Sequence, residues 1–238
     1  MRPGVVATLV SASLLALGAA PATAGTRPLP ARMADTGGGT QLITAEAPRT
    51  GATTGTVTWW DHRGGRRGGR WVRAGSAPAR FGAGGLVEGT ARKQGTNTTP
   101  TGLYDLPFAF GVRPAPAGTS VRYRRVHEDS WWCQDTASRA YNRWTEPRPA
   151  DCRAAESEHL MAYGTQYAHA LVVGFNYRHP VRGRGAGIFL HINGAGATAG
   201  CVSVPADAMR RILRWAHPAA RPHMAIGTTG GATAITRY

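Results

Sequence analysis

Acidic side chains are scarce in this chain of 238 residues: 13 Asp and Glu face 28 Lys and Arg, for a formal net charge of +15. So basic a chain adheres to polyanions, and its charge bears on adhesion and solubility rather than on fold. Cysteine is sparse as well, at three residues, so one thiol stays unpaired under any pairing. No Cys or His residues stand at the close spacing of a zinc-ligand pair, which argues against a metal site. The glycine-rich turn FGAGGLV, residues 81–87, lacks the Gly-Lys-Ser ending of a phosphate loop, so a nucleotide site has no support. Beyond residue 24 no apolar run is long enough to cross a bilayer. A second core is missing too: with 42% hydrophobic residues the chain can bury one full core, hence one domain with terminal extras.

The one long apolar run sits at the front. Arg2, the apolar residues 5–20 and the small-x-small triplet Ala22-Thr23-Ala24 read as an export signal over residues 1–24. No cysteine lies near that site, so a lipid-anchored form is not expected; retention of the uncleaved run as an anchor is the competing reading. Its removal takes away only Arg2, leaving a basic, secreted chain with no integral membrane segment. In a cell envelope the polyanions on offer are acidic wall polymers and peptidoglycan carboxylates. Residues 25–54 are rich in Thr, Ala, Gly and Pro without periodicity and read as a flexible linker. Residues 55–228 read as the folded domain and 229–238 as a tail.

Within that domain, TVTWWDH and WVRAG read as strands joined by RGGRRGGR. The joining run resembles RNA-binding RGG tracts, but an exported chain would have to meet RNA outside the cell. A basic hairpin tip is the better reading, and no nucleic-acid partner is expected. LYDLPFAFG and SVRYRRVHE, with Val121 and Tyr123 alternating against arginines, read as strands with one solvated face. ESEHLMAYG reads as a short helix, HALVVGFNY as an apolar central strand and HMAIG as the last strand. Pro205 suits a first helical residue, and Met209, Ile212, Leu213 and Ala216 follow at helical spacing until Pro218. Many short strands between Gly/Pro turns, with one or two short helices, predict a mainly β sandwich or barrel.

The chemistry concentrates in residues 187–205, GIFLHINGAGATAGCVSVP. Ile188, Leu190 and Ile192 alternate with Phe189, His191 and Asn193, so His191 and Asn193 share one strand face and the aliphatics pack on the other. A small-residue turn then leads to Cys201. An imidazole at a strand end facing a thiol across a loop suits a thiolate nucleophile, and Gly200 lets a substrate carbonyl approach the backbone N–H groups of Gly200 and Cys201. The bland alternative is a buried small cysteine and a satisfied strand histidine. Cys133 and Cys152 flank an insert, WWCQDTASRAYNRWTEPRPADCR, of the kind a disulfide staples. Closing it contributes about 3 kcal/mol in the chain-entropy model. Cys201 is then the leftover thiol. The insert's Trp131, Trp132, Trp144, Tyr141, Asp135 and Asn142 read either as a substrate wall or as a satellite core.

FLHIN followed by TAGCVSV resembles the signature of the L,D-transpeptidase catalytic domain, with His191 at the strand-histidine position and Thr198, Gly200 and Cys201 matching its Ser/Thr-x-Gly-Cys motif. TPTGLY, residues 99–104, resembles the family's Thr-Pro-x-Gly-aromatic segment, and the likeness spans about residues 82–227. Ala199 stands where members often carry a second histidine, and Ser203 where they often carry Asn or Arg. The resemblance implies a β-rich fold, a peptidoglycan tetrapeptide stem as donor with loss of D-alanine, an amine of a neighbouring stem as acceptor, and no cofactor. It implies Cys201 as nucleophile and His191 as the proton carrier oriented by a backbone carbonyl near Asn193. With the aromatic insert considered as well, Asn193, Thr198, Tyr104 and Trp131 are the substrate-binding candidates. Hydrolysis of the same thioester by an L,D-carboxypeptidase, an inactive wall-binding protein and an exported cysteine peptidase are the alternatives.

Overall fold

Strands dominate the computed structural model, which describes Met1, residues 28–64 and residues 68–229. In chain order they are β1 (Gln41–Ala47), β2 (Thr54–Arg63), β3 (Arg70–Arg80), β4 (Leu86–Glu88), β5 (Thr99–Asp105), β6 (Ala109–Gly111) and β7 (Tyr123–Arg125). Then come β8 (Trp131–Cys133), β9 (Arg143–Thr145), β10 (Ser157–His159), β11 (Ala170–Val172), β12 (Phe189–Ile192), β13 (Val202–Val204) and β14 (His223–Thr228). One α-helix, α1 (Ala206–Trp215), stands among the described residues with a few 3-10 turns. Eleven strands form one mixed sheet in the order β4-β5-β14-β1-β2-β3-β13-β12-β11-β6-β7, and β10-β8-β9 form a small second sheet. The mainly β class expected from the strand pattern holds.

Two cores use the two faces of β12. Ile188, Leu190 and Ile192 enter the main core with Ile43, Val57, Phe81 and Val202, while Phe189 enters an aromatic core with Phe110, Trp132 and Tyr167. The period of two in the sequence is the cause, because successive strand side chains point to opposite faces. Helix α1 buries Ala208, Met209, Ile212 and Leu213 along one stripe and exposes the Asp207–Arg211 ion pair on the other side. Pro205 is its N-cap rather than its first helical residue.

Two expectations are corrected, and one left open is decided. The linker over 25–54 is interrupted by β1, which pairs parallel with β14 and antiparallel with β2. All of its seven residues but Glu46 are buried, so it lacks the alternation that marks a half-buried strand. ESEHLMAYG is not one helix: Ser157–His159 is strand β10, paired with β8, and Leu160–Tyr163 is a 3-10 turn. The aromatic insert is chiefly a satellite core, with Trp132 against Phe189 at 4.8 Å and Trp144 against Phe110 at 5.6 Å. The Cys133–Cys152 disulfide staples it and Cys201 is the free thiol. The export signal, the tail beyond residue 229 and hairpin residues 65–67 lie outside the described residues.

Candidate active site

Parallel pairing of β12 with β13 sets Leu190 opposite Val202 and His191 opposite Ser203, so the turn carrying Cys201 ends beside the histidine strand. The turn is tied from several sides. Thr198 Oγ1 donates to the Cys201 carbonyl at 2.6 Å and accepts from the Gly200 N–H at 3.1 Å. Gly200 has φ +131°, and a side chain there would lie 2.8 Å from Arg92 Nη2 and 2.9 Å from the Thr98 carbonyl, so glycine is required. Buried Thr99, from the upstream TPTGLY segment, donates to the same Cys201 carbonyl at 3.3 Å. The two sequence motifs therefore meet in space. Arg80, at the end of β3, donates to the Gly194 carbonyl at 2.6 Å and holds the loop between histidine and cysteine.

His191 and Cys201 line one cavity of about 510 Å³, together with Arg92, Gln134, Glu158, Tyr167 and Thr198. His191 Nδ1 lies 2.8 Å from the Ile192 carbonyl. A carbonyl only accepts, so Nδ1 carries the proton and Nε2 keeps its lone pair. Burial lowers the imidazole to about 4, against which the Ile192 carbonyl acts only weakly. The Cys201 thiol donates to the Gly187 carbonyl at 3.3 Å, and the Phe189 N–H donates to the sulfur at 3.3 Å. Burial pushes this thiol up to about 12, helped by Glu158, while the Phe189 N–H and Arg92 pull it down. Burial thus favours the uncharged form of both groups, a thiol and a neutral imidazole in one cavity rather than a resting ion pair.

Not every sequence candidate reaches the cavity. Thr198 does, and it also shapes the cysteine turn. Asn193 instead accepts from Ser203 Oγ at 2.8 Å and ties the end of β12 to β13, outside the cavity wall. Tyr104 is 2% exposed and packs edge-on against Phe175 at 5.8 Å in the main core, because β5 turns that face inward. Trp131 stacks on His159 at 4.6 Å and is no part of the cavity lining. Of the two amides expected to hold an oxyanion, that of Gly200 is engaged by Thr198, which leaves that of Cys201.

Arg92 and Glu158 are residues that sequence reasoning missed. Arg92 is 6% exposed, and its Nε donates to the Thr98 carbonyl at 2.7 Å and its Nη1 to the Arg184 carbonyl at 3.1 Å. Glu158, on β10, accepts from Gln134 Nε2 at 2.7 Å and from Tyr167 Oη at 2.6 Å. Neither forms a salt bridge among the described residues. Acidic residues are few in this chain, which was the one available cue to Glu158; its reading as part of a helix hid it.

Cys201 and His191 thus face one cleft of a β-rich domain. A family model for the L,D-transpeptidase catalytic domain, YkuD, matches residues 52–226. The chain belongs to that family. No curated protein matches the chain. No helix among the described residues is long and apolar enough to cross a membrane.

Proposed function

We propose that this protein is an exported L,D-transpeptidase that forms a thioester between Cys201 and a peptidoglycan tetrapeptide stem, then passes the acyl group to an amine of a neighbouring stem. The observation that carries this reading is the shared cavity of Cys201 and His191, with Nδ1–H of the histidine held by the Ile192 carbonyl and Nε2 left as the base. As the donor carbonyl reaches the sulfur, the thiol gives up its bond to the Gly187 carbonyl and its proton passes to Nε2. The C–S bond forms, and the oxyanion is stabilised by the Cys201 N–H and the nearby positive charge of Arg92. Collapse breaks the C–N bond, and D-alanine leaves with the proton held by His191. The net charge of +15 supports retention on anionic wall polymers after export.

Incubating the purified protein with tetrapeptide muropeptides and weighing the products tests the reading. Cross-linked dimer is expected; tripeptide alone means L,D-carboxypeptidase activity, and unchanged substrate points to a wall-binding protein. A carbapenem should add its mass to wild type and not to Cys201→Ala, and an adduct of equal extent on both overturns the nucleophile assignment.

A further inference from the structure

The stapled insert does more than cover the aromatic core: it sends β10 along the cavity wall and brings Glu158 into the cavity that holds Cys201 and His191. Both carboxyl oxygens of Glu158 accept from neutral donors, Gln134 Nε2 and Tyr167 Oη, which suits an ionised carboxylate. Tyr167 also packs edge-on against His191 at 5.4 Å, so the carboxylate and the imidazole flank one tyrosine. A carboxylate in a cavity wall with no cation partner among the described residues costs desolvation energy and works against the thiolate as well. A cationic ligand removes both penalties.

We infer that Glu158 is the acceptor subsite, binding the primary ammonium group of the acyl acceptor and taking one of its protons as the amine attacks the Cys201 thioester. The inference rests on the thioester reading above. The acceptor arrives with three protons on nitrogen. One goes to the Glu158 carboxylate, which becomes the acid and later releases the proton to water. The freed amine attacks the thioester carbon, the C–N bond forms, the C–S bond breaks, and the electron pair returns to sulfur. A second proton passes from nitrogen through His191 to Cys201, restoring the thiol, and the third stays on the amide. Burial raises the Glu158 carboxyl above its ordinary value, against the hydrogen bonds from Tyr167 and Gln134, which brings it nearer to the pH at which an amine must be deprotonated.

The test measures partition. Wild type and Glu158→Gln are given a tetrapeptide donor and a fixed concentration of a muropeptide acceptor bearing a free primary amine, and dimer and tripeptide are quantified by mass spectrometry. Both products come from the same acyl-enzyme, so their ratio does not depend on the rate of acylation. Glu158→Gln should lower the dimer-to-tripeptide ratio by about tenfold or more, and Glu158→Asp should restore part of it. A purely structural role would lower both products and leave the ratio alone. A ratio in a folded Glu158→Gln variant within about twofold of wild type overturns the assignment, as does a wild type that yields tripeptide only; in both cases the thioester reading stands. Absence of any Cys201 adduct on wild type instead overturns the thioester reading, and the inference falls with it.

Discussion

At the residue scale the cavity opposes two charges across one thiol. Arg92 favours the Cys201 thiolate and Glu158 disfavours it, while burial outweighs both. Alkylation by iodoacetamide at pH 8 should therefore speed up in Glu158→Gln and slow down in Arg92→Gln, because only the thiolate reacts. Equal rates in the two variants would show that neither charge reaches the sulfur. Cys201→Ala should end product formation with the melting temperature within a few degrees of wild type. His191→Ala should lose about a hundredfold or more in turnover, the usual size of a positioned base. Gly200→Ala tests the cysteine turn itself: its new methyl would press on Arg92 Nη2 and on the Thr98 backbone at a φ that side chains rarely adopt, so activity should collapse while the sheet persists.

At the scale of elements, the insert is a small sheet stapled by a disulfide, with the Asp135–Arg153 ion pair next to that staple in the chain. Asp135, with its side chain 1% exposed, accepts from the Arg153 side chain at 2.7 Å and from the Arg153 and Ala137 backbone N–H groups. These bonds hold its carboxyl well below the ordinary range. The disulfide spans a sequence separation of 19. Replacing Cys133 and Cys152 together by Ser should cost about 3 kcal/mol in urea unfolding. The loss should fall on transfer more than on β1–β3, because β10 and its Glu158 hang on this staple. Hydrogen exchange would locate it: amides of residues 131–160 should lose protection before those of β1 and β2. Uniform loss across the sheet would mean that the insert and the sheet unfold as one unit.

For the whole molecule, the buried His191 and Cys201 make stability depend on pH from both sides. The imidazole sits at about 4 when folded and near 6.5 when free, so the unfolded chain binds the extra proton between those values. Its contribution is complete above pH 6.5 and is lost as the pH falls towards 4, on the order of 3 kcal/mol. The thiol works in the other direction: raised from 9.0 to about 12, it stays protonated when folded, and stability falls as the pH rises past 9. Urea midpoints should form a plateau between about pH 6.5 and 9, with His191→Gln flattening the acid limb. An acid limb unchanged in His191→Gln would assign it to other groups.

The strand alternation around His191, the paired cysteines of the insert and the leftover thiol at Cys201 were legible in the sequence, because period, spacing and parity are local properties. So was α1, whose apolar stripe repeats every three to four residues. Long-range pairing decided the rest. Strand β1 was hidden because a strand buried on both faces has no alternation to read. Tyr104 belongs to a recognisable motif and Trp131 to the aromatic insert, yet which face of a strand looks into a cavity depends on how the sheet closes. Arg92 and Glu158 lie more than forty residues from Cys201 in the chain and carry no motif of their own. What brings them to the thiol is the sheet order and the stapled insert, and a buried charge gains its meaning from neighbours that only the folded chain supplies.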